Sequence, residues 1–157
     1  MATSIHIADP ERTDWQSVLQ LLQSSFAYME AHQGRPPAVN KLNPEDLKIA
    51  TQKGPVLLAQ NDGDVVACLF CRPSQDFPEA YYIGWLAVSP VHRGIGLAQS
   101  LIEKAATIAS EKGFSALTLD TGASLLQVQQ TFQKCGFNII SNAKSASNDV
   151  VTMMRQL

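Results

Sequence analysis

Leu86-Ala-Val-Ser-Pro-Val-His-Arg-Gly-Ile-Gly-Leu-Ala-Gln99 carries an apolar strand into a glycine-containing turn and straight on into a helix. A helix start of this kind suits phosphate. The N–H groups of its first turn have no intrahelical acceptor, and the dipole places roughly half a positive charge at the same end. Arg93 adds a full charge. Gly94 and Gly96 carry no side chain, so an anion can come close to the main chain. The stretch reads as a holder for a pyrophosphate.

Spacing excludes two common phosphate motifs. A Walker loop closes on Gly-Lys-Ser/Thr, whereas Leu97 and Ala98 follow Gly96. A dinucleotide fingerprint needs a third glycine where Gln99 stands, and an acidic residue about 20 positions on at a strand end. What remains is Arg93-x-x-Gly96-x-Ala98. It resembles the coenzyme A loop, Gln/Arg-x-x-Gly-x-Gly/Ala, of the GNAT superfamily of acyl-CoA-dependent N-acetyltransferases. The preceding Leu86-Ala-Val-Ser-Pro90 resembles the strand that leads into that loop.

The 157 residues fit one domain that buries roughly two thirds of its unfolded surface. A net charge of -2, with the basic residues scattered, argues against a nucleic-acid partner and for small-molecule ones. No apolar run reaches membrane-spanning length, and Met-Ala-Thr-Ser-Ile-His lacks the features of a signal peptide, so a cytoplasmic protein with no membrane partner is expected. Cys68 and Cys71 stand three apart on one strand and face opposite ways, which rules out a shared metal or a disulfide between them. Both read as buried structural thiols, as does Cys135 on an apolar helix position.

Along the chain, residues 4–8 form a first strand. A capping box from Thr13 to Gln16 opens a helix with Trp15, Val18, Leu19, Leu22, Phe26 and Met29 on one stripe. Residues 30–43 are irregular, broken by Gly34, Pro36 and Pro37, and suggest a substrate lid carrying Tyr28 and His32. Asn43 caps a short helix with Pro44 in first position, reaching about Gln52. Strands over 55–60 and 65–72 flank the hairpin signal Asn61-Asp62-Gly63. A strand over 79–88 follows, with Gly84 marking a bulge or close approach. The helix after the turn is apolar at Leu97, Leu101, Ile102, Ala105, Ile108 and Ala109, and Gly113 ends it. After a strand over 115–121, a second capping box, Ser124 to Gln127, starts a helix with Leu125, Val128, Phe132 and Cys135 on one face and Gly136 at its end. Strands over 137–140 and 150–154 close the chain.

This order of elements resembles that of the GNAT superfamily over nearly the whole chain, and Lys134-Cys-Gly-Phe137 resembles its Lys-x-Gly-Phe landmark. The resemblance implies an α/β fold, a single GNAT-like domain over 1–157. It would have a mixed, mostly antiparallel central sheet of about seven strands flanked by about four helices. One departure stands out. Many members place Asn, Ala and Tyr on the helix where this chain has Leu125, Val128 and Phe132, and Phe132 cannot protonate a leaving thiolate as that Tyr does.

The resemblance further implies acetyl-CoA as cosubstrate and transfer of its acetyl group to a primary amine of a small molecule or peptide, by direct attack in a ternary complex. No metal is expected. The main chain of Leu86, Ala87 and Val88 would line the pantetheine arm, with the Val88 N–H toward the thioester oxygen. Arg93, Gly94, Ile95, Gly96, Leu97 and Ala98 would hold the pyrophosphate, and Phe132 would lie beside the coenzyme. Strand alternation sets Tyr82, Gly84, Leu86 and Val88 on one face, with Tyr82 where histone-acetylating relatives carry a glutamate base. Tyr82, Glu79 and Asp120 are therefore the candidate catalytic residues, while His92 reads as a surface or coenzyme contact. Acceptor choice would rest on residues 28–43 and on Ser141 to Asp149. The alternative is a non-catalytic acyl-CoA-binding or sensing domain of the same fold. A homodimer is left open.

Overall fold

The computed structural model describes residues 3–34, 36–141 and 150–157. Seven strands lie in one sheet, ordered β1-β2-β3-β4-β5-β7-β6. They are β1 (Thr3–Ile7), β2 (Val56–Asn61), β3 (Asp64–Pro73), β4 (Ala80–Val88), β5 (Ala116–Gly122), β6 (Asn138–Ser141) and β7 (Val150–Gln156). The β4–β5 pair is parallel, while β1–β2, β2–β3, β5–β7 and β6–β7 are antiparallel. The α-helices among the described residues are α1 (Trp15–Phe26), α2 (Met29–Gln33), α3 (Pro44–Ala50), α4 (Leu97–Glu111) and α5 (Leu126–Lys134). This is the α/β class and strand number expected, with α2 as an additional short helix.

Two compact units divide the chain, the first comprising residues 1–71 and 85–101 and the second 72–84 and 102–157. In the first, the stripe of α1 buries Trp15, Val18, Leu19 and Leu22 together with Leu47 of α3 and with Val56, Leu58, Cys68 and Phe70. Leu58 and Cys68 are direct cross-strand partners, as are Val56 and Phe70, so this set is one face of the hairpin. Cys71 has the opposite parity, and both it and Cys68 are buried and unpaired, as the strand period requires. Asp62 (φ 54) and Gly63 (φ 86) turn the hairpin in the left-handed region, the conformation that Asn-Asp-Gly favours. Register shifts between Ala59 and Gln60 and leaves Val66 as the extra residue of a bulge.

In the second unit, β5 and β7 pair from Ala116↔Gln156 to Gly122↔Val150, and β6 closes that side at Ile139↔Met153. Leu117, Leu119, Phe137 and Met153 are buried, and Tyr81 stacks on Phe114 at 4.8 Å between ring centroids. Glu103 and Arg155 form a two-pronged ion pair at 2.7 and 3.0 Å.

Several local expectations are corrected. Thr13 does not cap α1, because its hydroxyl is already spent on the Asp9 carbonyl at 2.7 Å. Asp14 caps instead, accepting from the Ser17 N–H and hydroxyl, which hold its carboxyl below the usual value. Met29 belongs to α2, and residues 38–41 form a 3-10 turn, so the segment from 30 to 43 is less irregular than its prolines suggest. Asn43 does cap α3, reciprocally with Asp46, but that helix ends at Ala50. Ser124 makes no capping box. The chain turns through a Leu125 N–H to Gly122 carbonyl bond, and the buried Gln129 amide donates to the carbonyls of Gly122 and Ala123. Cys135 is only partly buried, since it caps the end of α5.

Candidate functional site

The end of β4 is distorted at Trp85, which has a φ of 48, whereas the neighbouring Gly84 stays outside the left-handed region. A bulky residue rarely adopts that conformation, so packing must hold it. Trp85 meets Phe70 edge to face at 5.2 Å, and the Cys68 thiol donates to its carbonyl at 3.5 Å. The Cys68 sulfur also accepts from the Ala87 N–H, and the Ser89 N–H donates to the Val66 carbonyl at 2.8 Å. Residues 85, 87 and 89 thus turn their main-chain groups toward β3. Main-chain polar groups alternate along a strand, so Leu86 and Val88 direct theirs to the opposite edge. Pairing of β4 with β5 spans Ala80 to Tyr82.

A 3-10 turn, Pro90–His92, links β4 to the glycine turn and was not anticipated. Gly94 (φ 82) and Gly96 (φ 85) both need the left-handed region, and a Cβ on either would meet nothing within 4 Å. Glycine is required here by backbone conformation, and the space beside each is open. Ser100 is the first residue to bond back into α4, to the Gly96 carbonyl at 2.9 Å. Among the described residues, the N–H groups from Arg93 to Gln99 find no acceptor. Leu97 is buried and anchors the start of α4, Ala98 is half-buried, and Ile95 and Val91 are 64% and 85% exposed. Arg93 is exposed, with its Nε donating to the Val88 carbonyl at 3.2 Å. The turn therefore offers one guanidinium and a succession of unspent main-chain donors, a combination able to take up a multiply charged anion.

Tyr28, 44% exposed just after α1, lies close enough to Arg93 to feel its charge. Burial raises its phenol above the usual value, and Arg93 opposes that rise. His32 is placed by its main chain alone, in α2. The expected acceptor loop is outside the described residues from 142 to 149. His92 turns its Nε2 to the Asn61 side-chain amide at 3.3 Å.

The three candidate catalytic residues fall in the second unit and do not converge. Tyr82 pairs with Thr118 in the parallel register, and Asp120 stands two residues further along β5 on the same face. Glu79 precedes β4 and is exposed. Its carbonyl accepts from Ser115, which puts it about 16 Å back along β5 from Asp120 at the usual rise per residue. The Arg72 guanidinium lies 4.2 Å over the Tyr82 ring. The Asp120 Oδ1 accepts from the Thr152 hydroxyl at 2.8 Å. Phe132 packs edge to face on Phe137 at 5.9 Å.

A family model described as Acetyltransferase (GNAT) family matches residues 15–137. No curated protein sequence matches the chain. Among solved structures, the PaiA N-acetyltransferase from Thermoplasma acidophilum in complex with coenzyme A superposes at a TM-score of 0.83, with 14% identity and all of both chains covered. A GNAT family acetyltransferase from Elizabethkingia anophelis with acetyl-CoA bound gives 0.71 at 19% identity, covering 99% of this chain and 98% of that one. The ribosomal-protein-alanine N-acetyltransferase from Brucella melitensis gives 0.71 at 18% identity, covering 98% and 99%. At these identities the likeness is one of fold.

Proposed function

The chain belongs to the GNAT family of acetyltransferases, and from that premise we propose that residues 1–157 act as one N-acetyltransferase domain. It moves the acetyl group of acetyl-CoA to a primary amine of a small molecule or a peptide by direct attack in a ternary complex. The observation that carries this reading is the run of N–H groups from Arg93 to Gln99 without acceptors among the described residues, beside open space at Gly94 and Gly96. These residues fit a pyrophosphate. Acetyl-CoA supplies the activated acyl group, and this chain supplies binding, orientation and a path for one proton.

Within the proposal, Arg93, Gly94, Ile95, Gly96, Leu97 and Ala98 bind the pyrophosphate, Ile95 and Leu97 through their main chain. Leu86, Ala87 and Val88 lie along the pantetheine arm. The Val88 N–H, on the edge away from β3, donates to the thioester oxygen, where negative charge grows as the amine attacks. An alkyl ammonium has a pKa of about 10.4 and must shed a proton first. Asp120 and Tyr82, on one face of the β4–β5 pair, are the groups assigned to receive it through water. Glu79 is the weaker candidate because it stands beside Ser115, well back along β5 from Asp120. Phe132 contributes apolar surface only, and the thiolate is protonated from solvent. A thiol with a pKa of roughly 8.5 needs little help to leave.

Tyr28, beside Arg93, and His32 belong to the segment assigned to the acceptor. A peptide acceptor is supported by the Brucella melitensis neighbour, whose name specifies a ribosomal-protein alanine. Three unpaired thiols favour a reducing, cytoplasmic setting. No helix among the described residues is long and apolar enough to cross a membrane.

Thiol release from acetyl-CoA across a panel of amines, polyamines, amino acids and short peptides tests the proposal, run beside thermal shift with coenzyme A. Amine-dependent release is expected. Stabilisation with no release from any acceptor would favour the acyl-CoA-binding alternative, and the absence of both would overturn the reading of the turn.

A further inference from the structure

Asn61 Nδ2 and His92 Nε2 meet at 3.3 Å across 31 residues of sequence. Asn61 closes β2 and opens the hairpin turn, held by pairing to Thr3 on one side and Asp64 on the other. His92 ends the 3-10 turn and is the last residue before Arg93. The same approach is pinned once more, by the Ser89 N–H on the carbonyl of Val66, the bulged residue of β3. Beyond His92 come two glycines in the left-handed region, where a Cβ on either would meet nothing within 4 Å among the described residues.

As a contribution to folding the pair is a poor one. Asn61 Oδ1 and His92 Nδ1 are buried with no partner among the described residues. Reversing the amide and moving the ring proton only changes which of the two is donor and which acceptor. Two buried orphans cost more than one long, neutral hydrogen bond returns. Apolar residues of the same shape would serve stability better, and local rules are broken in this way where function requires it.

We propose that Asn61 and His92 are positioning residues for the glycine turn, a strut from the β2–β3 hairpin that fixes where the donors from Arg93 onward point. The inference rests on the reading of that turn as the coenzyme site. Gly94 and Gly96, on either side of Ile95, restrict the backbone least of all residues, and the strut fixes the turn at its upstream end. Its effect is on coenzyme binding through preorganisation, and the acetyl-transfer step itself is untouched.

The test uses the full chain with acetyl-CoA and an acceptor found in the amine panel, together with coenzyme A titrations. Asn61→Leu and His92→Phe each raise KM for acetyl-CoA and Kd for coenzyme A roughly 3- to 10-fold, with kcat held within about twofold. The double variant loses no more affinity than either single one, because both remove one interaction. Its Tm without ligand is at or above that of the parent, since both orphan atoms are gone. His92→Gln, which returns an amide oxygen to the Asn61 amide, restores KM to within about twofold. Unchanged coenzyme affinity in the single variants overturns the strut, as does an affinity loss that follows a fall in Tm and resists His92→Gln. Gly96→Val separates the two levels. If it leaves coenzyme A binding intact, the reading of the turn fails, and if it abolishes binding while the Asn61 and His92 variants bind normally, only the strut fails.

Discussion

Arg93 folds back on the strand it follows, its Nε donating to the main-chain oxygen of Val88 at 3.2 Å. The guanidinium is thereby held at the mouth of the glycine turn while its two terminal nitrogens stay available to an anion. A lysine has three donors on one nitrogen and lacks the planar fork, so it cannot hold the Val88 carbonyl and still present a two-pronged face to an anion. Arg93→Ala is expected to raise KM for acetyl-CoA roughly tenfold, about 1.4 kcal/mol, and to flatten its dependence on salt. Arg93→Lys should recover only part of that loss, and initial rates over a range of ionic strength would show it.

Gly96 and Gly113 separate the conformational cost of a side chain from its effect on binding. Both have a left-handed φ, 85 and 90, and neither has an atom within 4 Å of a built Cβ. Alanine at either position should cost about 1 kcal/mol or somewhat more through the backbone alone. Only at Gly96 should coenzyme A then fail to raise Tm as it does for the parent. Equal responses to coenzyme A in the two variants would remove the turn from the binding site.

The elements read correctly from sequence were those specified within a few residues. Asn43 with Pro44, Asn61-Asp62-Gly63, and Gly113 after an apolar stripe each carry their own geometry. Errors arose where a competing partner, near in sequence or on another strand, took the group the local pattern relied on. Thr13 was lost to the Asp9 carbonyl, and Ser124 was displaced by a tight turn reinforced by Gln129. Gly84 does mark a close approach, since a Cβ there would lie 2.9 Å from the Tyr82 ring, but the distorted backbone is at Trp85, whose conformation depends on Phe70 and Cys68 of another strand. Among site residues, the turn was legible because glycine and arginine at fixed spacing express a backbone requirement. Asn61 was not, since nothing local ties a hairpin residue to one 31 positions away.

Asp120 allows charge to be separated from hydrogen bonding. Its Oδ1 accepts from the Thr152 hydroxyl, and an asparagine oxygen can do the same. Asp120→Asn should therefore leave stability within about 0.5 kcal/mol, whereas Asp120→Ala, which orphans a buried threonine hydroxyl, should cost about 1 kcal/mol or more. If the carboxylate receives the acceptor's proton, Asp120→Asn lowers kcat by about a hundredfold. Full activity in Asp120→Asn would assign the residue to the fold alone.

The three thiols should react unequally. Burial pushes Cys68 and Cys71 up to about 12, and neither is reachable in the folded chain. Cys135 is also raised, by burial and then by Glu103, but it is only partly buried. Since the thiolate is the reactive form, a thiol reagent at pH 8 should modify Cys135 slowly and leave the other two until denaturant is added. Mass analysis of the native and denatured reactions would read this directly, and Cys135→Ser should abolish the native signal.

The Glu103–Arg155 pair gives stability a dependence on pH. The two-pronged hydrogen bond from Arg155 holds the Glu103 carboxyl below its usual value of 4.5, with burial opposing it. A carboxyl lowered in the folded state contributes fully above its unfolded value and loses that contribution as pH falls through the folded one. The Glu103 side chain is 49% exposed, so solvent screens the pair and its worth is about 0.5–1 kcal/mol. Glu103→Gln should cost that amount in urea unfolding at pH 7, and progressively less as pH falls below the usual carboxylate value and the parent carboxyl becomes protonated in turn. A cost that stayed constant across this range would show that the charge of the Glu103 carboxylate is not what the pair contributes.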